Sequence, residues 1–209
     1  MTPTTLPNEI NFYFDPICPW TWATARWAVD MAPRNNVKIN WRSLSLAVLN
    51  KGKHMSEKLA IEMQITTAAH RIIAAMRADD QNDLIGEFYT EFGRQIHHDG
   101  ATQTLDLVRA IAKTAGADKW ADEMDNEKWD EAIESSTNHA IELSGPDVGS
   151  PVIGFDTPEI GTFGPIVSPP PTGTDADDLF EVFVRMVRLP GVYEIKHGRT
   201  GAAIFGPRP

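Results

Sequence analysis

The stretch from Asn11 to Trp22 constrains the fold of this chain more than any other. It begins with an apolar, aromatic run over residues 11–14, which is typical of a buried strand. The run ends at Asp15-Pro16, and Cys18, the only cysteine of the protein, follows two residues later. A helical spacing of apolar residues begins directly behind it. We therefore expect Cys18 at a strand-to-helix turn.

The hydrophobic periodicity places further elements on both sides of a helical block. The first strand, a helix over residues 20–33 and an alternating strand over 37–46 are expected to form a parallel β-α-β unit. In the central block, helices are predicted over residues 57–77, 82–96, 104–115, 118–124 and 126–143. Two strands are predicted after this block, over residues 149–155 and 162–167. The chain is then expected to form a helix over residues 175–188, capped by Thr174, and an extended tail over residues 192–196.

This order predicts an α/β protein with the thioredoxin fold (β-α-β … β-β-α) and a large α-helical insertion. We expect the thioredoxin-like domain in residues 1–53 and 145–209, and the inserted helical domain in residues 54–144.

Charge and hydropathy restrict the partners. The chain has 209 residues, 29 acidic against 19 basic, and a net charge of -10. Such an acidic balance argues against nucleic acid or an anionic membrane as the main partner. There is no long apolar run that could span a membrane and no secretory signal in residues 1–8, and a single cysteine excludes an internal disulfide. We expect a cytoplasmic protein, and its acidic surface and helical block permit a homodimer.

The start of a helix is a favourable place for a reactive thiol. Free N–H groups in the first turn carry a partial positive charge that stabilises a thiolate. If the pKa of Cys18 falls to about 6, the thiolate fraction at pH 7 rises from roughly 3% to roughly 90%. We therefore expect a lowered pKa and a thiol that leaves readily from a mixed disulfide. The alternative is an inert buried cysteine.

Thr21 stands three residues after Cys18, where a dithiol site carries its second cysteine. A hydroxyl cannot resolve a mixed disulfide, but it can donate a hydrogen bond that lowers the pKa of the thiolate. The pattern predicts monothiol chemistry, in which Cys18 forms an adduct and an external thiol releases it.

These residues resemble a known family. Cys18-Pro19-Trp20-Thr21 after the aromatic strand resembles the active-site loop of the DsbA-like thioredoxin-fold family, and Ser150-Pro151-Val152 looks like its cis-proline loop. Residues 42–50 and 163–168 are most similar to the actinobacterial branch of mycothiol-dependent nitroreductases, and the resemblance covers about residues 9–200. That branch usually carries Cys-Pro-Trp-Cys, so Thr21 in this chain excludes an intramolecular disulfide cycle.

The resemblance implies a set of site residues. Cys18 and Thr21 are expected to be catalytic, and the expected thiol-binding or substrate-binding residues are Pro19, Trp20, Asn50, Ser150 and Pro151. A cis bond before Pro151 would present the Ser150 backbone as an extended edge, whereas a trans proline would simply start a strand. Trp20 either stacks on a substrate or packs on the insertion. Asn50, expected at the end of the second strand, either contacts the thiol or is a turn residue.

The resemblance also implies an activity. It predicts a thiol-disulfide oxidoreductase or nitroreductase-like enzyme that acts on a small molecule and uses a low-molecular-weight thiol, mycothiol if the organism makes it. One alternative is an enzyme similar to kappa-class glutathione transferases or 2-hydroxychromene-2-carboxylate isomerases, which activates a bound thiol. Another is a non-catalytic binding protein on the same fold.

The histidine pair His97-His98 does not predict a metal site, because adjacent helical side chains point about 100° apart. A histidine near a helix C-terminus is explained by the helix dipole. No phosphate loop or dinucleotide motif occurs in the sequence. We therefore expect no metal, flavin or nucleotide cofactor.

Overall fold

A four-stranded sheet lies at the centre of the fold in the computed structural model, which describes residues 5–209. Residues 1–4, which belong to the predicted 1–53 segment and to the stretch searched for a secretory signal, lie outside the described residues. The strands are β1 (Glu9–Phe14), β2 (Lys38–Ser43), β3 (Val152–Asp156) and β4 (Glu159–Phe163). Their order is β2-β1-β3-β4; β1 and β2 are parallel, and β3 is antiparallel to β1 and β4.

The helices occupy the positions that the thioredoxin fold with an insertion requires. The α-helices of the described chain are α1 (Pro19–Met31), α2 (Leu46–Leu49), α3 (Glu57–Ala78), α4 (Asn82–Gly93), α5 (Leu105–Thr114), α6 (Asp130–Ser144) and α7 (Thr174–Arg188). Arg94–His98 continues α4 as a π-helix, and 3₁₀-helices lie at Asp118–Asp125 and Glu127–Trp129. The predicted order of elements and the predicted fold class are confirmed. The division at residues 54 and 144 stays a prediction.

The helix behind the cysteine begins where its sequence favours it. Pro19 occupies the first helical position, where a missing N–H costs nothing, and Cys18 is the extended residue before it. The buried face of α1 includes Trp22, Trp27 and Met31. Trp27 also donates a hydrogen bond from its indole N–H to the carbonyl of Ala176 at 2.9 Å, which fixes α1 against α7.

The sheet and the inserted helices share one hydrophobic core. Phe14 of β1, Ile72 of α3 and Phe88 of α4 are fully buried in the same cluster. Burying each such side chain contributes roughly 1.5–3 kcal/mol. Trp22 approaches Gly93 so closely that a Cβ atom there would lie 2.3 Å from the indole ring. The shared core therefore holds the helical block against the helix that follows Cys18.

Three predicted strands differ from the observed ones. The strand expected over 149–155 begins only at Val152, after Pro151, and ends at Asp156. The strand expected over 37–46 ends at Ser43, because Ser45 caps the short helix α2 with its hydroxyl oxygen, which accepts the N–H of Val48. The strand expected over 162–167 lies at Glu159–Phe163. Asp156 and Glu159 are paired across the turn at 157–158, so β4 begins directly after that turn, earlier than predicted.

The helix ends and the tail also differ. The helix expected to reach residue 96 changes to a π-helix at Arg94. The cap of α7 is Gly173, with a φ of 59°, and not Thr174, which is the first helical residue. Residues 192–196, expected to be extended, belong to no strand. None of the helices found in residues 5–209 has the length and apolar character needed to cross a membrane.

Candidate active site

Cys18 lies at the junction of β1 and α1, as predicted. Its N–H donates to the carbonyl of Asp15 at 3.1 Å, which closes the turn after β1, and its own carbonyl accepts the N–H of Trp22 at 3.0 Å. The residue is partly exposed, and its thiol donates to the backbone oxygen of Ser150 at 3.7 Å. The only thiol of the chain is thus within reach of a small molecule and faces the loop before β3.

The peptide bond between Ser150 and Pro151 is cis, which confirms that expectation. Pro151 is buried, and its carbonyl accepts the N–H of Gly164 at 2.9 Å, so the loop is tied to the residue that follows β4. The expected contact between this loop and the cysteine is present. That Ser150 and Pro151 bind a thiol or substrate stays a prediction.

Thr21 takes part in a buried hydroxyl pair beneath the thiol. Its Oγ1 lies 2.7 Å from Oγ of Ser150, and both residues are buried. Ser150 Oγ also accepts the backbone N–H of Asp15 at 2.9 Å. The Thr21 hydroxyl donates to Ser150 Oγ, which therefore accepts two hydrogen bonds, and the Thr21 side chain also acts on the sulfur, where it lowers the pKa of Cys18. This arrangement ties the first turn of α1 to the cis-proline loop.

The pKa of Cys18 is raised, contrary to the expectation of a depressed value. Burial of the sulfur is the largest cause, and the negative charge of Asp15 adds to it. Hydrogen bonds from the side chain and N–H of Thr21 and from the N–H of Trp20 lower the pKa, but by less. The start of a helix by itself favours a lower pKa, but the surrounding core desolvates the sulfur, and this effect is larger.

The carboxylate of Asp15 organises the residues behind the thiol, and the sequence analysis did not identify it. It is fully buried, and one oxygen accepts the N–H of Ile17 at 3.0 Å and the Thr66 hydroxyl at 2.6 Å. The other oxygen accepts the N–H of Leu46 at 2.7 Å and lies 3.5 Å from Nε2 of His70. One side chain therefore joins the cysteine loop to α2 and α3.

That network extends into the sheet. Nδ1 of His70 lies 3.0 Å from Oγ of Ser43, the last residue of β2, and both side chains are buried. An aspartate at the end of a strand, immediately before Pro16, is the sequence signal that could have indicated Asp15. No local pattern predicts its partners Thr66 and His70, which lie 51 and 55 residues further along the chain.

His97 and His98 lie beside the cysteine loop in the π-helix. Nε2 of His97 donates to the Pro16 carbonyl at 3.0 Å, and the indole N–H of Trp22 donates to Nε2 of His98 at 3.1 Å. Burial lowers the pKa of His97 to about 4, so its ring is neutral at pH 7. The helix-dipole explanation, which needs a charged histidine, is wrong for this residue.

The remaining predicted residues divide into two groups. Pro19 is exposed and Trp20 is partly exposed next to Cys18, and the guanidinium of Arg199 lies 4.3 Å from the centre of the Trp20 ring. Asn50 does not end a strand. It ends α2, where its side-chain amide donates to the Leu46 carbonyl at 2.8 Å and its oxygen accepts from Lys53. Its binding role stays a prediction.

The arrangement suits thiol chemistry. It offers the largely buried sulfur of a partly exposed residue, hydrogen-bond donors that act on that sulfur, and a backbone edge opposite it. Within residues 5–209 there is no group of three or more histidine, cysteine or acidic side chains placed to hold a metal ion. Among the side chains gathered here, Cys18 is the one that can act as a nucleophile.

Comparisons with known proteins identify relatives of this chain. Residues 17–197 match the family model described as Rv2466c-like, mycothiol-dependent nitroreductase Rv2466c. The chain is 25% identical over 203 residues to the uncharacterized protein Rv2286c of Mycobacterium tuberculosis, which covers 94% of this chain and 85% of that protein.

Solved structures share the fold at low identity. A probable DsbA oxidoreductase, SCO1869 from Streptomyces coelicolor, matches with a TM-score of 0.57 and 15% identity over 94% of this chain and 98% of that one. The cytosolic disulfide reductase DsbM from Pseudomonas aeruginosa, solved with GSH, matches with a TM-score of 0.53 and 12% identity over 85% and 97%. At this identity the likeness supports the thioredoxin fold alone.

The family match begins at Ile17, directly before the thiol, and continues past α7, so it includes the cysteine, the helical block and the cis-proline loop. The chain belongs to the Rv2466c-like family of mycothiol-dependent nitroreductases and is a thiol oxidoreductase enzyme with a DsbA-like thioredoxin fold.

Proposed function

We propose that this protein is a monothiol oxidoreductase of the cytoplasm, in which Cys18 exchanges with a low-molecular-weight thiol. The observation that carries the proposal is the pairing of the thiol of the partly exposed Cys18 with the Ser150 carbonyl at 3.7 Å, while Thr21 occupies the position of a resolving cysteine. The predicted homodimer stays a prediction.

The exchange has two steps. The Cys18 thiolate attacks one sulfur of a disulfide, which forms a mixed disulfide on Cys18 and releases the other half as a thiolate. A second thiol then attacks the mixed disulfide and forms a new disulfide with the bound half, and the Cys18 thiolate leaves. Thr21 and the N–H groups of the first turn of α1 support both steps, since they stabilise the negative sulfur.

Mycothiol is the thiol that the family name suggests, and nitro compounds are the corresponding substrate class. Oxidation of two thiols to one disulfide supplies two electrons and two protons. Reduction of a nitro group to a nitroso group consumes the same number and releases water, so the reaction balances without a metal or flavin. The DsbM structure with GSH makes glutathione a reasonable second thiol to test.

A second candidate is a transferase-like enzyme that only orients a bound thiol. The raised pKa of Cys18 favours it, because a protonated Cys18 is a poor nucleophile but keeps its S–H as a weak hydrogen-bond donor. In that case Cys18 would donate to the sulfur of the bound thiol and would never become covalently linked to it.

Intact-mass measurement separates the two candidates. Incubation with the disulfide of mycothiol or of glutathione is expected to add one thiol to Cys18, and added reduced thiol should remove it. Cys18→Ser is the matched control: it should form no adduct and should lose thiol-dependent nitroreduction. Unchanged turnover by Cys18→Ser would overturn the redox mechanism, and turnover without any adduct on the wild type would favour the second candidate.

A further inference from the structure

The segment 189–209, called the tail below, crosses the surface next to the candidate site. It follows α7 and is almost entirely exposed. Four residues near its end contact the rest of the protein. Hydrogen bonds join Ile204 to Ser168, Arg208 to Asp99, and the Pro209 oxygen to Arg94. The ring of Phe205 packs against the rings of His97 and His98. Since α7 fixes its beginning, both ends of the tail are anchored.

Between these anchors the tail contacts the cysteine loop. Arg199 lies on the ring face of Trp20, with 4.3 Å from the guanidinium carbon to the ring centre. Trp20 is two residues after Cys18, in the first turn of α1. A guanidinium that stacks on an aromatic ring keeps its N–H donors in the plane of the group, directed outward. These donors are therefore available at the edge of the candidate site.

The two tail arginines differ in their partners. Arg208 makes two hydrogen bonds to the carboxylate of Asp99, both at 2.8 Å. Arg199 has no ion pair and no hydrogen bond within residues 5–209, although the chain carries 29 acidic residues against 19 basic ones. An unpaired cation on the ring of Trp20, two residues after the cysteine, provides a local attraction for an anion in this acidic protein.

We propose that Arg199 determines specificity by binding a carboxylate on the molecule that reacts at Cys18. The planar guanidinium matches the two oxygens of a carboxylate, and Trp20 holds it in place. The carboxylate belongs either to the compound that is reduced or to a thiol that carries one, such as glutathione; mycothiol has no free carboxylate. The inference rests on the proposed function and narrows its substrate class to compounds with a carboxylate near the reacting group.

The first arm of the test addresses the thiol. The rate of adduct formation on Cys18 is measured with oxidised glutathione and with the same disulfide after esterification of its carboxylates. If the carboxylate belongs to the thiol, the wild type should prefer the free acid by up to about fivefold, the effect of one exposed ion pair. Arg199→Gln should remove the preference. Lys196→Gln, which removes an equal charge from the same exposed segment without touching Trp20, should keep it.

The second arm addresses the reduced compound. Thiol-dependent reduction of 4-nitrobenzoate is compared with that of its methyl ester, with an uncharged thiol as the reductant. A preference for the acid that Arg199→Gln abolishes in this arm alone assigns the carboxylate to the substrate. Equal rates for acid and ester in both arms, or a preference that survives Arg199→Gln, would overturn the inference. The absence of any Cys18 adduct would instead overturn the proposed function itself.

Discussion

The two sides of the candidate site are built in opposite ways. On the inner side, Asp15, Thr21 and Ser150 are buried and bonded to one another or to the neighbouring backbone. On the outer side, Trp20 is partly exposed and Arg199 is exposed, and the contact between them is a stacking contact without a hydrogen bond. The buried residues of the inner side determine the position and the pKa of the thiol. The exposed residues of the outer side can be substituted to alter which ligand binds, and the protein stays folded.

This difference in burial determines which substitutions are expected to have the largest effects on stability. Removing a buried polar partner leaves another buried group unsatisfied, which costs roughly 1–3 kcal/mol for each neutral group. Breaking an exposed ion pair changes stability by about 0–1 kcal/mol. Inner-side variants should therefore affect folding and thiol reactivity together, whereas outer-side variants should affect ligand preference alone.

The largest effect is expected for Asp15→Asn. The amide can accept at one oxygen only, but donors from Ile17, Leu46 and Thr66 face both oxygens of the carboxylate, so the free energy of unfolding should fall by roughly 2–4 kcal/mol. Because the charge of Asp15 raises the pKa of Cys18, that pKa should also fall. Urea unfolding and alkylation rate against pH measure the two effects.

Thr66→Val is the control for that variant, because it removes one hydrogen bond to Asp15 and leaves the charge in place. It should cost about 1 kcal/mol and leave the alkylation midpoint of Cys18 nearly unchanged. If Asp15→Asn leaves the Cys18 midpoint at the wild-type value, the inner side does not control the thiol as described.

His97 gives the next largest effect, and it depends on pH. Its pKa is lowered to about 4, below the unfolded value of about 6.5, so the folded state loses stability as the pH falls below 6.5 toward 4. Between pH 7 and pH 5 the wild type should lose about 2 kcal/mol from this residue. His97→Gln keeps a donor for the Pro16 carbonyl but does not titrate, so it should lose less over the same range.

His54→Gln serves as the comparison for His97, since His54 is exposed in the segment between α2 and α3. Its stability should follow the same pH dependence as the wild type in thermal melts. Equal acid sensitivity of His97→Gln and the wild type would show that His97 is not buried in its neutral form.

A smaller effect is expected for Thr21→Val, which removes the hydroxyl that lowers the pKa of Cys18. Alkylation of Cys18 at pH 8 should slow by a few-fold, and stability should fall by about 1 kcal/mol because Ser150 loses its partner. Thr24→Val, one turn further along α1, loses hydrogen bonds to the Trp20 and Pro165 carbonyls and should not slow alkylation. Equal alkylation rates of Cys18 in Thr21→Val and in the wild type would show that the Thr21 hydroxyl does not lower the pKa of Cys18.

The smallest effect on stability belongs to the outer side. Arg208→Gln breaks the exposed pair with Asp99 and should change the unfolding free energy by less than about 1 kcal/mol. It should nevertheless release the end of the tail, so that trypsin cleaves after Arg199 faster than in the wild type. Arg185→Gln, which breaks an exposed pair with Glu181 within α7, should leave that cleavage rate unchanged.

The sequence predicted the features of the site that are local or that follow from the resemblance. The strand-cysteine-helix junction is local, because aromatic alternation, Pro16 and Pro19 all lie within ten residues. The cis bond before Pro151 and its approach to Cys18 came from the resemblance, and both are observed.

The sequence did not predict the contacts between polar atoms of residues that lie far apart along the chain. Hydrophobic periodicity predicts the buried face of α3, but it does not show that Thr66 and His70 turn toward Asp15. The predicted lowering of the Cys18 pKa was wrong for the same reason, since desolvation depends on how closely distant segments cover the sulfur. Arg199 lies in a tail without regular structure, where no periodicity exists to guide a prediction.

The most direct test of the account is the mass of Cys18 adducts in the wild type and in Thr21→Cys. After treatment with a low-molecular-weight disulfide, the wild type should retain one bound thiol per chain until external thiol is added. Thr21→Cys should expel that thiol and become two hydrogens lighter than its reduced form, because the second cysteine resolves the mixed disulfide. A wild-type protein that never carries the adduct, although Cys18 remains open to alkylation, would contradict the one-thiol mechanism.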